Sequence, residues 1–254
     1  MVSQGVICMS EMKVAMVTGG TRGIGRAITL ALAESGVHVA AGYVSNSEAA
    51  EETKALVAAA GGSLSLHKVD IGDANDCVKY ANEVIEAYGR IDYLINNAGI
   101  NIDRTVRRMT IEEWHSVMRI NISGCFYMVK AVIEHMISRK SGRIVNISSI
   151  IGQTGNVGQA NYATAKSGMF GLSKTLALEL AGKGITVNCV APGFISTDMM
   201  ASVPKKILDE IVARIPVGRL GKPEEVAFAV MGLLDDRSGY ITGAVIPVNG
   251  GLDM

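Results

Sequence analysis

A tyrosine and a lysine stand four residues apart in the second half of the chain, Tyr162 and Lys166. On a helix, residues at this spacing lie on one face, so the phenol and the ammonium would be neighbours. A free tyrosine has a pKa near 10, and a nearby positive charge favours the phenolate and lowers that value. We therefore expect a proton-transfer pair here. By spacing alone, the two residues would fit an exposed helix pair equally well.

A glycine-rich turn lies near the start of the chain. Gly19, Gly23 and Gly25 follow the apolar run Val14–Thr18 and precede a helical pattern. Glycine lets the backbone approach a pyrophosphate closely, and the N-terminus of a helix offers free N–H groups to it. Without that context the glycines would mark only a tight turn. Together with the tyrosine and lysine, this turn indicates cofactor-dependent redox chemistry.

Short apolar runs alternate with longer amphipathic stretches along the chain, which predicts an α/β fold. The near-continuous apolarity of the runs is typical of a parallel sheet covered on both faces, a doubly wound sheet of seven strands. The predicted strands lie at 14–18, 37–41, 64–69, 93–95, 143–147, 186–190 and 244–248. The predicted helices lie at 24–35, 47–60, 74–88, 110–137, 161–181 and 223–234. In such a sheet, the carboxyl ends of the strands share one edge, where ligands bind.

The helix starts support this alternation. Asp73 precedes one helix and can cap its free N–H groups. Thr110 and Glu113 fit a capping box, and Pro223 stands at a first-turn position.

The chain shows no linker, repeat or low-complexity segment, so we expect a single domain over residues 13–254. An extension, 1–12, precedes it, and Met9 or Met12 could equally be the natural start. Segment 194–222 holds several prolines and glycines after a strand end, which favours a flap over the substrate. An ordinary surface excursion is the alternative.

Composition excludes several classes of protein. Hydrophobic residues make up 48% of the 254 residues, and 24 basic residues balance 24 acidic ones. Disorder and a nucleic-acid partner are therefore not expected. The four cysteines and four histidines lack ligand spacing, so no metal is expected. The chain begins without a signal-peptide pattern, and its apolar runs are shorter than the ~18 residues of a membrane span, so we expect a cytoplasmic protein without a membrane segment.

An ordered set of motifs resembles the short-chain dehydrogenase/reductase family over essentially the whole chain, with a Rossmann-type fold. Besides the glycine turn, the set comprises Asn96-Asn97-Ala98-Gly99, Asn121, Ser148-Ser149, Tyr162, Lys166 and Pro192-Gly193. The resemblance implies that Ser149 hydrogen-bonds the substrate carbonyl and that Lys166 also holds the nicotinamide ribose. It further implies that Asn121 holds a water that connects Lys166 to solvent.

The cofactor is expected to be NADPH. An NAD enzyme usually offers an acid about 20 residues after the glycines, to bind the ribose 2′-hydroxyl. Here no acid appears before Glu48, while Arg22 could grip a 2′-phosphate. With the family's pattern, the expected cofactor contacts are Gly19, Thr21, Arg22, Gly23, Ile24, Gly25, Ser45, Asn46, Asp70, Ile71, Asn97, Ala98, Gly99, Tyr162, Lys166, Pro192, Gly193, Ile195 and Thr197.

Within that family, the chain is most similar to 3-oxoacyl-[acyl-carrier-protein] reductases of fatty-acid synthesis and to acetoacetyl-CoA reductases of polyhydroxyalkanoate synthesis. The resemblance implies reduction of a 3-oxoacyl thioester, with Ser149, Asn156, Gln159 and Phe194 toward the substrate. Lys140 and Lys183 fall where the carrier-protein enzymes place basic side chains beside the site entrance, which favours the acidic carrier protein over coenzyme A. As lysines they would equally fit solvated helix ends.

Other functions stay open. A reductase of another ketone would share the same residues. A non-catalytic NADPH-binding regulator usually lacks part of the proton-transfer set, which is complete here. An epimerase or dehydratase commonly carries a larger C-terminal region. Family members are usually tetramers, and the apolar excess in helices 110–137 and 161–181, with strand 244–248, favours a homotetramer over an internal core alone.

Overall fold

The computed structural model describes residues 12–197, 200 and 203–254. All but the last residue of the expected extension 1–12 lies outside the described residues, as do four positions of the flap: 198, 199, 201 and 202.

A parallel sheet of seven strands forms the centre of the described structure, in the order β3-β2-β1-β4-β5-β6-β7. The strands are β1 Val14–Thr18, β2 His38–Tyr43, β3 Ser63–Lys68, β4 Tyr93–Asn96, β5 Gly142–Ile147, β6 Ile185–Pro192 and β7 Val245–Val248. This confirms the predicted doubly wound sheet. The order reverses between β1 and β4, and the crevice outside the carboxyl ends of these two strands is where ligands bind in such sheets.

Helices cover both faces of the sheet. They are α1 Gly23–Glu34, α2 Ser47–Ala59, α3 Ala74–Tyr88, α4 Ile111–Met118, α5 Gly124–Arg139, α6 Ile151–Thr154, α7 Ala160–Leu180, α8 Lys205–Arg214 and α9 Pro223–Leu234. Along β1, Ala15 and Val17 pack with α1 and α9, whereas Val14 and Met16 pack with α3, α5 and α7. Side chains alternate between the two faces of a strand, so one apolar run serves two cores.

The predicted helix starts are confirmed. Asp73 accepts hydrogen bonds from the backbone N–H groups of Asn75 and Asp76. Thr110 and Glu113 form the reciprocal capping box at the start of α4. α9 begins at Pro223.

The segment predicted as one helix at 110–137 is interrupted. Between α4 and α5, Arg119–Ser123 forms a π-helical turn, which holds one residue more than an α-helical turn. The backbone stays right-handed through Met118, Ser123 and Gly124, so the rod continues and the apolar pattern alone does not reveal the insertion. The flap region is also more regular than expected, since it contains α8.

Among the described residues, one helical stretch, 111–139, is long and apolar enough to cross a membrane by length and composition. Its residues Met128, Val132 and Met136 are buried against α3 and α7 in the main core. This packing is that of a core helix in a globular protein.

Candidate active site

The first part of the site is the turn between β1 and α1. Arg22 is the N-cap of α1 without a side-chain hydrogen bond to the helix, and the first turn carries no acidic residue. The N–H groups of that turn therefore lack side-chain acceptors, which leaves a partial positive charge for an anion. Gly19 (φ +61°) and Gly23 (φ +50°) adopt left-handed backbone conformations that side chains disfavour.

The third glycine of the turn is required by close packing. A Cβ on Gly25 would lie 2.0 Å from the Gly19 carbonyl oxygen and 2.5 Å from Asn97 Nδ2. A Cβ on Gly19 would lie 3.1 Å from Ala98 Cα. The uncapped helix start and the open turn fit the pyrophosphate of a dinucleotide, which these backbone N–H groups would hold.

Four hydrogen bonds join this turn to the loop after β4. Asn97 Nδ2 donates to the carbonyl oxygens of Thr18 (3.0 Å) and Gly19 (3.1 Å). Thr18 Oγ1 accepts from the backbone N–H groups of Asn97 and Ala98, each at 3.0 Å. The Asn97 side chain thus fixes the glycine turn and the start of α1, residues 19–25, which we call the cofactor cradle. It does not extend toward a ligand. Sequence reasoning missed Thr18, whose only signal is a buried hydroxyl at the end of an apolar strand.

Two residues after β3 were expected to border the adenine. The Asp70 carboxylate accepts from Arg119 Nη1 at 2.9 Å and from the Gly72 N–H at 2.9 Å. Burial opposes ionisation of Asp70, but these two donors hold the pKa of its carboxyl below the usual value. The Ile71 side chain is buried in the core, so only its backbone is available to a ligand.

The two residues expected to form a proton-transfer pair, Tyr162 and Lys166, lie on α7. Lys166 is buried, and its Nζ donates to the Ile147 carbonyl at 2.7 Å while lying 5.6 Å from the centroid of the Tyr162 ring. Burial lowers the pKa of Lys166 to about 8. For the Tyr162 phenol, burial raises the pKa, the neighbouring Ser149 hydroxyl acts in the opposite direction, and the Asp103 charge raises it further. The net direction of the Tyr162 pKa in the chain by itself is therefore upward, opposite to the expected one, because burial is its largest cause.

Two consecutive serines follow β5 and face different ways. Ser148 Oγ donates to the Lys166 carbonyl at 2.7 Å, so it fixes the backbone of α7. Ser149 Oγ accepts from the Ile151 N–H at 3.1 Å, which leaves its own proton for another acceptor. Ser149 is therefore the serine of the two that adjoins the Tyr162 phenol.

Asn121 lies buried in the π turn. Its Oδ1 accepts from the Ile100 N–H (2.8 Å), and its Nδ2 donates to the Ile100 carbonyl (2.9 Å). A Cβ on Gly99 would lie 3.2 Å from Asn121 Oδ1 and 3.6 Å from Lys166 Nζ. Asn121 and Lys166 therefore meet around Gly99, where a larger residue would crowd both.

Comparison with known proteins shows which family the chain belongs to. A family model described as enoyl-(acyl carrier protein) reductase matches residues 19–253. The chain belongs to this short-chain dehydrogenase/reductase family. It is 48% identical to an acetoacetyl-CoA reductase of Shinella zoogloeoides, over 94% of this chain and 98% of the relative. It is 44% identical to the 3-oxoacyl-[acyl-carrier-protein] reductase FabG of Thermotoga maritima, over 95% and 98%. A 3-oxoacyl-[acyl-carrier-protein] reductase of Synechocystis is 44% identical, over 95% and 97%.

Around the end of β2, this oxidoreductase presents the residues expected to select the cofactor. The Arg22 side chain is exposed and has no ion-pair partner among the residues the structure describes. The Gly20 N–H donates to the Gly42 carbonyl at 3.1 Å, which places the turn beside the end of β2. Ser45 is exposed, and Asn46 caps α2 by accepting from the Ala49 N–H.

On the substrate side of the oxidoreductase, the expected residues form a chain of hydrogen bonds. Asn156 Nδ2 donates to Gln159 Oε1, and Gln159 Nε2 donates to Asp103 Oδ1, each at 2.9 Å. This series of hydrogen bonds ends at the Asp103 carboxylate, whose charge raises the pKa of Tyr162. Sequence reasoning did not assign Asp103 a role, because only the fold brings it to Gln159.

The first residues of segment 194–222, the expected flap, lie beside the glycine turn between β1 and α1. β6 ends at Pro192, and the Gly193 N–H donates to the Val248 carbonyl at 2.9 Å. Phe194 is half-buried, and Ile195 is buried. The Thr197 methyl lies 3.3 Å from the position that a Cβ on Gly23 would take, so it touches the start of α1.

The two lysines expected beside the site entrance lie elsewhere in this oxidoreductase. Lys140 is the C-cap of α5, directly before β5, and Lys183 ends the turn before β6. Both therefore lie at the amino edge of a parallel sheet, opposite the carboxyl edge that carries Ser149 and Tyr162. Within one chain the expectation was wrong, because sequence position near a strand does not say which end of the sheet a residue occupies.

Proposed function

We propose that this protein reduces a 3-oxoacyl thioester to a 3-hydroxyacyl thioester with NADPH. The observation that carries the proposal is the meeting of Tyr162, Lys166 and Ser149 at the carboxyl edge of the sheet, beside a cradle that fits a dinucleotide. The bound cofactor would supply the hydride. The relatives named above, which reduce acetoacetyl-CoA or 3-oxoacyl thioesters by name, support the substrate class.

The residues divide the remaining chemistry. Ser149 Oγ accepts from the Ile151 N–H and bonds the neighbouring Tyr162 phenol, and its hydroxyl would donate to the substrate carbonyl, which would polarise that carbonyl. A phenol with the ordinary pKa near 10 carries its proton at neutral pH, and burial raises the pKa of Tyr162 further, so Tyr162 would be present in the acid form that protonates the alkoxide. Lys166 would support the phenolate that forms and hold the ribose, and Asn121 would bind the water of a relay to solvent.

NADPH rather than NADH is the proposed cofactor. The exposed Arg22 guanidinium, free of ion pairs with the described residues, stands at the N-terminus of α1, next to the end of β2. Ser45 and Asn46 follow β2, and the stretch from Tyr43 to Ser47 has no acid that would repel a 2′-phosphate.

The thioester carrier has two candidates. We retain acyl carrier protein, as in fatty-acid synthesis, as the first. Coenzyme A is the second, favoured by the position of Lys140 and Lys183 away from the site in their own chain and by the 48% identity to an acetoacetyl-CoA reductase. Reduction of a carbon–carbon double bond, which the family description names, provides a control reaction.

Further proposals concern the whole molecule. Residues 13–254 would act as one dinucleotide-binding and catalytic domain in the cytoplasm, with 194–222 closing over the substrate.

We propose a homotetramer, supported by the exposed apolar side chains Phe126 on α5 and Leu178 on α7 and by the half-buried edge strand β7. Sedimentation should give four times the chain mass of 26.7 kDa, and a monomer would refute the assembly.

The test is NADPH oxidation with carrier-protein and coenzyme A thioesters of one 3-oxoacyl chain, and with the matching 2-enoyl thioester. We expect turnover of the 3-oxoacyl substrates and little of the enoyl one. Tyr162→Phe should lower kcat by about 10² to 10⁴, because a positioned general acid contributes that much. Tyr240→Phe, at a fully exposed phenol, is the matched control. Undiminished turnover in Tyr162→Phe would refute the mechanism.

A further inference from the structure

A buried polar network lies directly behind the proton-transfer pair. Asn146 on β5 is its centre, with no exposed surface. Its Oδ1 accepts from Asn96 Nδ2 at 2.9 Å and from Cys125 Sγ at 3.2 Å. Its Nδ2 donates to Ser173 Oγ at 2.8 Å, and Ser173 Oγ lies 3.2 Å from Cys189 Sγ. The Asn146 amide thus joins β5 to β4, α5 and α7, and Ser173 extends the network to β6.

The end of β5 contacts α7 at three consecutive residues. Asn146 donates to Ser173, the Ile147 carbonyl accepts from Lys166 Nζ, and Ser148 donates to the Lys166 carbonyl. Lys166 and Ser173 are seven residues apart, about two turns, so they lie on the same face of α7. Asn146 is the deepest of the three contacts and immediately precedes the carbonyl that holds the ammonium.

We propose that Asn146 is a positioning residue for the proton-transfer pair, fixing α7 against β5 so that the Ile147 carbonyl holds Lys166 beside Tyr162. This proposal rests on the proposed function. It assigns a part in the reaction to a buried amide that contacts neither substrate nor cofactor. Loss of the amide would deprive Asn96 Nδ2 of this acceptor and Ser173 Oγ of this donor in a dry interior, so we expect β5 and α7 to shift in response. That shift would reach Lys166 through the Ile147 carbonyl.

The same fold offers a matched control. Asn188 on β6 is similarly buried, and its amide makes two hydrogen bonds, to the Ile241 carbonyl (2.9 Å) and from the Ala244 N–H (3.0 Å), against three for Asn146. These bonds hold the loop before β7 and have no link to Lys166. Asn146→Ala and Asn188→Ala therefore remove the same group from neighbouring strands, and only the first should affect the chemistry.

The experiment compares these variants by stability, kinetics and direct titration of Lys166. The lysine is followed by the ¹³Cε resonance of labelled protein, assigned by its absence in Lys166→Met. Asn146→Ala should lower kcat about tenfold or more with little change in KM for NADPH, since small misplacements in an active site are costly. The Lys166 midpoint, expected near pH 8, should fall by about one pH unit when the ammonium loses its acceptor. Asn188→Ala should lose similar stability, with kcat within about twofold and the midpoint unchanged.

A second pair of variants guards against misfolding of Asn146→Ala. Ser173→Ala removes the acceptor of the Asn146 amide and should reproduce the kinetic and titration changes in weaker form, whereas Ser173→Thr keeps the hydroxyl and should restore both. An unmoved Lys166 midpoint in Asn146→Ala or, where that variant does not fold, in Ser173→Ala overturns the proposal. So does an equal loss of kcat in the Asn146 and Asn188 variants at equal stability. If the wild type reduces neither thioester, the proposed function fails, while the lysine titration still decides the role of Asn146.

Discussion

Replacing Gly25 by alanine tests the cofactor cradle at its tightest point. The added methyl group would lie 2.0 Å from the Gly19 carbonyl oxygen and 2.5 Å from Asn97 Nδ2. An ordinary contact is about 3.5 Å, so the first turn of α1 has to move by roughly 1.5 Å or the glycine turn has to open. Both obstacles are held in place, since Asn97 staples the Gly19 carbonyl and that of Thr18.

The expected effect has two parts. Overpacking of a fixed backbone costs about 1–3 kcal/mol, which for a chain of this size lowers the Tm by about 3–10 °C. Displacement of the helix N-terminus removes N–H groups from the phosphates, and a shift of this size can cost about 10² in rate. We therefore expect NADPH to bind at least about tenfold more weakly to Gly25→Ala.

The assay is a fluorescence titration of NADPH together with thermal unfolding. Gly232→Ala is the control, because a Cβ at Gly232 in α9 meets nothing within 4 Å. It should gain up to about 1 kcal/mol from helix propensity and keep its affinity for NADPH. Wild-type affinity and Tm in Gly25→Ala would show that the turn is not packed as described and would refute the reasoning.

Two further predictions concern charge. Arg22→Ala should raise KM for NADPH about 10- to 100-fold, the worth of a charge-assisted hydrogen bond, and change KM for NADH little; equal losses would contradict a 2′-phosphate contact. His38 is buried between Ser63 and Ser65, and burial, with the neighbouring His67, lowers its pKa to about 4. The unfolded chain, with a pKa near 6.5, then binds the extra proton, so the free energy of unfolding should fall from pH 6.5 toward pH 4 by at most about 1.4 kcal/mol per pH unit. Urea unfolding of His38→Gln should show a flatter dependence, and an unchanged slope would contradict this.

Local patterns predicted the elements well. β1, α3 and α9 begin and end where the sequence places them, because each is a run of one periodicity between clear breakers or caps. The order of the family motifs likewise predicted which strand ends carry Ser149 and Gly99. These features depend on residues close together in the chain, so they can be predicted without knowledge of the fold.

Features that join distant residues were not predictable. The bonds from Asn97 to Thr18 and from Gln159 to Asp103 depend on how two strand ends and two loops meet. The direction of the Tyr162 pKa depends on burial and on the neighbouring Ser149 and Asp103, which only the fold brings to the phenol. Lys140 was misplaced for a related reason, since its distance from the site follows from the parallel sheet and not from its neighbours in sequence.

The π turn lets one continuous helical rod serve two neighbours. α4, before the turn, packs against α7, whereas α5, after it, packs mainly against α3. One additional residue changes the angular phase of everything downstream by about 100°. Deleting the Asn121 codon would therefore rotate Met128 and Met136 away from their present core contacts, so this single deletion would disturb the core as well as remove the asparagine.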